Sequence, residues 1–263
     1  VGAWVDVAAA RALPGLRLVL SAGVPGPWGE AAKALFFVKR VPYTRVRQVP
    51  GEANAELRAW TGHDNAPQAV FGDEPARTTA FELVQLAERL APTPALVPEA
   101  PDERALMFGL VHELAGEQGF GWCRRLMLLE RTLSLPASVL PLDHPVRAQV
   151  EGLGRKYGYG PAAAKAAPAR AAGILRLFSQ QLAGQQRRGR AHLVGDGLSA
   201  LDLYWAAFAA MVVPLPEAQC PMPAALRPLY EITDPGLRAA CSPALLAHRD
   251  RVYHEHLELP VAL

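Results

Sequence analysis

Residues 91–101, APTPALVPEAP, separate two stretches whose patterning cannot belong to one kind of fold. Four prolines in this segment leave no room for a helix or a strand, because each removes a backbone donor and restricts the residue before it. Before the segment, period-two and helical apolar patterns alternate; after it, strand signals nearly vanish. The segment therefore reads as an interdomain linker joining an α/β unit to an all-helical unit.

The upstream half resolves into short elements. LRLVL at 16–20 predicts a strand, and apolar residues at 31, 34, 35 and 38 predict a helix over 30–38, broken by Pro42. YTRVRQV at 43–49 alternates as a second strand, 57–60 suits a short helical turn, and QAVF at 68–71 makes a third strand with a Gly72-Asp73 turn behind it. A fourth short strand fits next, then an amphipathic helix over 78–90 with Phe81, Val84 and Leu86 on its apolar face. Downstream, helical patterns run over 102–132, 144–157, 169–186, 198–213 and 242–256.

Composition narrows the function classes. With 51% hydrophobic and 20% charged residues the chain packs rather than remaining disordered. A net charge of +2 makes no case for nucleic acid or an anionic membrane, and the basic run at 185–190 reads as a solvated loop. Cys123, Cys220 and Cys241 are too scattered for a disulfide framework or a zinc site and suit a reducing compartment. The apolar start of the chain carries Asp6 and Arg11 and does not read as a leader, and no run approaches the roughly 18 apolar residues of a membrane helix. The expectation is a cytoplasmic protein. YHEH at 253–256 imitates a metal motif, but His254 and His256 would face apart on a helix, so no metal is expected.

Two motifs stand out. In GDGLSALDL, at 195–203, Ser199 and Asp202 have capping-box spacing, with Leu198 and Leu203 placed as a hydrophobic staple. Asn65-Ala66-Pro67-Gln68 marks a turn or strand start, and a trans peptide is the ordinary state of such a bond.

With these motifs the sequence resembles the cytosolic glutathione transferase superfamily, over nearly the whole chain from about residue 15. LRLVLS, a loop, a helix and Arg40-Val41-Pro42-Tyr43 are similar to the family's "G-[IV]-P-Y" entry to its second strand. Ala66-Pro67 stands at the place of its "V-P" cis-proline. LVGD at 193–196 with LSALD at 198–202 is close to its "L-x-G-D-x-[LF]-S-x-A-D" signature. The resemblance implies a thioredoxin-like N-terminal domain over 15–90, the linker at 91–101, and an all-α helical-bundle C-terminal domain over 102–263. It further implies glutathione as co-substrate, a hydrophobic electrophile bound between the domains, a homodimer, and a cis bond at Ala66–Pro67.

Two departures accompany it. The family's catalytic Ser, Cys or Tyr falls on Gly26 and Gly29 of GPWG. Ser21 is then the nearest hydroxyl and the catalytic candidate, the alternative being an ordinary strand-end serine. Backbone N–H groups at a helix N-terminus also lower a thiol pKa, and glycine lets a sulfur approach closely. Where the family has "[EQD]-S", this chain has Thr78-Thr79, preceded by Arg77. The glutathione site carried over by resemblance is Gly26, Pro27, Trp28, Ala66, Pro67, Arg77, Thr78 and Thr79. The acceptor pocket is carried over to His112, Gly116 and Phe120. Trp28 is a ligand wall or a packing residue, Thr79 is also a helix cap, and Arg77 serves a ligand carboxylate or lies in solvent. The implied activity is transfer of the glutathione thiol to a hydrophobic electrophile. A catalytically silent binding or interaction protein on the same fold is the alternative, and a glutathione-dependent isomerase or dehalogenase a third reading.

Overall fold

LRLVLS, residues 16–21, is the strand on which the first half is built. The computed structural model describes residues 3–224 and 226–263. The first half runs β1 (Trp4–Val5), α1 (Val7–Arg11), β2 (Leu16–Ser21), α2 (Pro27–Val38), β3 (Tyr43–Gln48), α3 (Ala55–Thr61), β4 (Gln68–Phe71) and α4 (Ala80–Leu90). Among the described residues the sheet has the order β1-β3-β2-β4, with β4 antiparallel to β2 and the other pairs parallel. The place of the fourth short strand is taken by a single bridge between Ala69 and Arg77. Trp4 and Val5 pair with Arg45 and Val46, so the sheet takes in residues ahead of position 15.

Period-two alternation sorts β2 between two layers. Leu16, Leu18 and Leu20 enter the large core shared with α2, α4 and the helical half, whereas Val19 joins Val7, Ala10, Val46 and Leu57 under α1 and α3. Arg17 is buried, and its guanidinium is held by the carbonyl oxygens of Leu13, Gly15 and Gly72. Both faces of the strand are thus covered, as an almost wholly apolar run requires.

The second half comprises α5 (Pro101–Ala115), α6 (Phe120–Leu133), α7 (Pro145–Lys156), α8 (Pro161–Arg187), α9 (Ala200–Phe208), α10 (Arg227–Tyr230), α11 (Pro235–Ala239) and α12 (Pro243–His256). The pattern over 102–132 is two helices rather than one. The backbone turns extended at Gly116 and Gly119 and positive in φ at Gln118. The long helix α8 takes in the alanine-rich tract from Pro161, which the apolar periodicity leaves out because alanine marks no face. The pattern over 198–213 is α9 followed by a 3₁₀ turn at Ala209–Met211. The architecture is a thioredoxin-like unit followed by an all-α unit.

The proline-rich segment is clamped rather than loose. Lys39 lies 2.7 Å from Glu88 and donates to the carbonyl of Pro94 at 2.6 Å. Glu88 also accepts the Leu96 N–H, and the Leu96 carbonyl accepts the N–H of Ala200 at 2.8 Å. Leu96 itself is buried in the large core.

Helix α9 is buried at every position, so its ends cannot turn to water. Asp202 resolves the N-terminal end. Its carboxylate accepts the Ser199 N–H at 2.8 Å, the Ser199 hydroxyl at 2.7 Å and the Leu193 N–H at 2.9 Å. His248 of α12 contacts the same carboxylate through Nε2 at 2.7 Å, while Arg251 lies 2.8 Å from His248 Nδ1. A guanidinium only donates, so Nδ1 accepts and the Nε2–H is directed at Asp202. Burial pushes the Asp202 carboxyl up, but the bonds from His248, Leu193 and Ser199 outweigh burial and hold it below its ordinary value.

A carboxyl depressed by folding stabilises the fold above its unfolded pKa, and the stabilisation is lost as pH falls through the folded value. The Asp202 contribution is therefore complete at neutral pH and disappears in acid below the ordinary carboxylate range. Asp202→Asn is expected to lower stability by roughly 3 kcal/mol, or about 6–12 °C in Tm. Thermal melts as a function of pH check this: the gap between the two proteins should close in acid.

Candidate functional site

The carboxyl end of β2 runs into a loop and then the N-terminus of α2, and here the sheet meets the helical half. Gly26 is the N-cap and provides no side-chain cap, and Pro27 follows at the first helical position. The N–H groups of Trp28 and Gly29 are then first-turn donors without intrahelical acceptors. A Cβ added at Gly26 would meet nothing within 4 Å, so the space over the cap is open. At Gly29 it would lie 3.4 Å from the Leu20 side chain.

Ser21 ends β2 beside this loop. Its hydroxyl donates to Gln48 Oε1 at 2.7 Å, and Gln48, buried at the end of β3, is held in turn by the carbonyls of Val49 and Asp64. Ala66–Pro67 is cis and leads into β4, whose Gln68 stands in register with Val19 of β2. Ser21, Gly26, Trp28, Ala66 and Pro67 line one cavity of about 1480 Å³ between the two halves.

Thr78 and Thr79 line the same cavity at the start of α4. Thr79 caps the helix in a full capping box with Glu82. The Glu82 carboxylate accepts the N–H groups of Thr78 and Thr79, both at 3.0 Å, and the Thr79 hydroxyl at 2.9 Å. These bonds, the Thr78 N–H foremost, hold the Glu82 carboxyl below its ordinary value. The Arg77 side chain pairs with Glu74 at 3.0 Å, and Glu74 also binds Arg89.

Trp28 joins the two halves. Its indole N–H donates to the Ala115 carbonyl of α5 at 2.8 Å, and its ring meets Phe208 of α9 edge-on at 5.1 Å. Gly121 of α6 makes room for both rings: a Cβ there would lie 2.7 Å from Trp28 and 2.6 Å from Phe208. Trp28 is thus a packing residue that also shows a surface to the cavity.

On the helical side, His112 and Gly116 line the cavity, and the imidazole lies directly over the glycine, where a Cβ would be 2.3 Å from the ring. Phe120 does not join them. It is fully buried in the large core, because the break at Gly116–Gly119 restarts the helix and turns its first residue inward. Among the described residues no group of three His, Cys, Asp or Glu side chains is arranged to hold a metal, and no helix is long and apolar enough to cross a membrane.

No sequence-family model and no curated protein matches this chain. Solved structures do. A glutathione S-transferase from Methylobacterium radiotolerans, crystallised with glutathione sulfonate, aligns at a TM-score of 0.59 and 15% identity, over 94% of this chain and 97% of its own. A theta class glutathione S-transferase from Xanthomonas axonopodis pv. citri, with glutathione bound, gives 0.54 and 16%, over 92% and 94%. A beta-etherase from Sphingobium gives 0.54 and 17%, over 90% and 99%.

This chain has the glutathione transferase fold.

Within the glutathione transferase fold, three features of the site escaped the sequence reading. Gln48 engages the Ser21 hydroxyl, Glu82 fills the donors around Thr79, and Arg125 and Tyr157 enter the cavity wall from α6 and the end of α7. Only Glu82 had a usable signal, the T-x-x-E spacing of a capping box from Thr79. Gln48 and Arg125 act through residues distant in sequence.

The Trp28 clasp predicts opposite outcomes for two glycine substitutions. Gly121→Ala forces Trp28 or Phe208 to move and is expected to cost about 1–3 kcal/mol, with an altered tryptophan emission. Gly173→Ala, inside α8 with nothing within 4 Å of the added Cβ, is expected to be neutral or to stabilise by up to about 1 kcal/mol. Thermal denaturation of both variants measures the difference.

Proposed function

We propose that this protein binds glutathione along its N-terminal domain and transfers the thiol to a hydrophobic electrophile held against the helices. The observation that carries the reading is the joint placement of the Ala66–Pro67 turn before β4 and the glycine-capped N-terminus of α2 on one interdomain cavity. The Ala66 backbone pairs with the cysteinyl segment of glutathione. Its sulfur lies over Gly26, where a side chain would otherwise stand, and the N–H groups of Trp28 and Gly29 favour the thiolate through the helix dipole. Thr78 and Thr79 hold the γ-glutamyl end, whereas Arg77 is turned to Glu74 and is not among the residues that line the cavity. Because the Thr79 hydroxyl is engaged by Glu82, Thr78 provides the side-chain hydroxyl at that edge. His112 and Gly116 face the acceptor, and catalysis rests on thiolate stabilisation and proximity. No metal takes part in this scheme.

Ser21 is the candidate side-chain contact to the sulfur, and its bond to Gln48 limits what it contributes. Ser21→Ala is expected to lower kcat/KM less than tenfold, whereas a hydroxyl donating directly to the thiolate would cost about a hundredfold or more. Steady-state kinetics with an aryl halide separates these cases.

Calorimetric titration with reduced glutathione tests the reading itself. Binding in the millimolar range or tighter, weakened by Thr78→Ala, supports it. The matching thermal shift corresponds to about 2.7 kcal/mol at a glutathione concentration about 100 times Kd. No heat and no shift would remove it.

One observation favours a second reading, a catalytically silent binding protein on the same fold: the loop has glycine at 26 and 29, and the nearest hydroxyl is engaged by Gln48. Glutathione binding without turnover of any electrophile would select it. A homodimer accords with Phe81, 55% exposed on α4 and packed on Phe108 of α5 at 4.8 Å between ring centroids. Sedimentation at micromolar concentration reads the oligomeric state. The proposed setting is the cytoplasm.

A further inference from the structure

We propose that Arg125 is an anion-recognition residue and that the acceptor carries an aromatic or apolar body ending in a carboxylate, sulfonate or similar anion. The proposal rests on reading the interdomain cavity as the acceptor site.

The four lysines and arginines on the cavity wall, among the described residues, are Lys33, Arg58, Arg125 and Lys156. Three of them already have carboxylate partners. Lys33 lies 2.7 Å from Glu30, Arg58 pairs with Asp64, and Lys156 lies 3.5 Å from the same Asp64. Arg125 enters no such pair among the described residues, and its Nε is buried with no hydrogen-bond partner. Its neighbour in sequence shows how this fold treats a structural arginine. Arg124 is buried and donates to the carbonyls of Met211, Leu229 and Glu231. Arg147 is likewise bound to the carbonyls of Leu133, Leu135 and Leu140. A guanidinium stays charged and has five donors; here Nε is buried without an acceptor and no carboxylate or carbonyl of the described residues takes the terminal nitrogens, which leaves this fork free to receive an anion.

The surroundings define the rest of the ligand. The Arg125 guanidinium lies over the Tyr157 ring, 5.7 Å from its centroid, and Trp122 fixes that ring by an edge contact at 4.6 Å and an indole bond to the Tyr157 carbonyl. Leu128, Leu229 and Tyr230 complete the apolar wall. Gly121, which touches Trp28, precedes Arg125 by four residues on α6, so both lie on one helix face about one turn apart. An acceptor whose anion sits on Arg125 therefore places its apolar body between that residue and the α2 N-terminus, where the thiol is proposed to lie. The fork of the guanidinium matches a carboxylate or sulfonate with parallel donors.

The test uses a fluorescent pair with one aromatic body: anilinonaphthalene sulfonate and its uncharged parent, phenylnaphthylamine. Both are titrated into the full protein without glutathione, so a failure of glutathione binding and a failure of this assignment are separate results. The wild type is expected to bind the sulfonate more tightly than the parent. Arg125→Met, which keeps an apolar stem over Tyr157, is expected to weaken the sulfonate about tenfold or more and the parent less than twofold. Arg125→Lys should fall between, retaining charge but losing the fork. Melting temperatures establish that each variant is folded. Leu128→Trp, which fills the cavity beside Arg125, is expected to weaken both probes. The assignment is overturned if the wild type has no preference for the sulfonate, or if Arg125→Met affects both probes alike or neither. It is also overturned if Leu128→Trp leaves the sulfonate bound, which would put the dye elsewhere.

Discussion

A carboxylate with no exposed surface holds the helical half in place. Asp202 sits in the first turn of α9, a helix buried at every position, and it accepts bonds from the helix entry, from the bend at Leu193 and from His248 of the last helix. An isolated charge at that depth would be costly, but four donors convert the cost into specificity of position. With α9 located, Phe208 is located, and Phe208 is the surface against which Trp28 sets the thioredoxin-like unit. The interdomain cavity is thus a consequence of packing that begins some distance from it.

The chemistry available at that cavity comes from backbone more than from side chains. At the start of α2 there is no hydroxyl or thiol: a glycine caps the helix, a proline follows, the N–H groups of Trp28 and Gly29 have no intrahelical acceptor, and the first-turn acid, Glu30, is paired with Lys33. Such a terminus favours a negative charge supplied by a ligand. At the start of α4 the equivalent donors are engaged by Glu82, an acid of the chain itself. Two helix entrances on the same cavity therefore differ, one open and one filled, which suits a site that receives its reactive atom at the first.

Much of the fold was legible in the sequence. Strand β4 appears at its predicted limits, β2 and β3 within a residue of theirs, and the Ser199–Asp202 box where its spacing put it. These follow from short-range rules of period, caps and proline. The break at Gly116–Gly119 was less visible because apolar residues continue in helical spacing across it, and its cost was Phe120, assigned to the pocket and found in the core. The alanine-rich start of α8 was missed for the opposite reason, since alanine favours a helix without marking a buried face.

By itself the sequence determined the two halves, their classes, and the motifs that carry the resemblance to glutathione transferases, because each depends on residues a few positions apart. Tertiary structure alone decided which polar groups are free. Ser21 is engaged because β3 places Gln48 beside it, and Arg124 is satisfied while Arg125 is not because adjacent residues on a helix point about 100° apart. In the sequence those two arginines are indistinguishable. Only packing against the 3₁₀ turn on one side and Tyr157 on the other separates a cation bound to backbone carbonyls from one that lies over an aromatic ring with its Nε unpartnered.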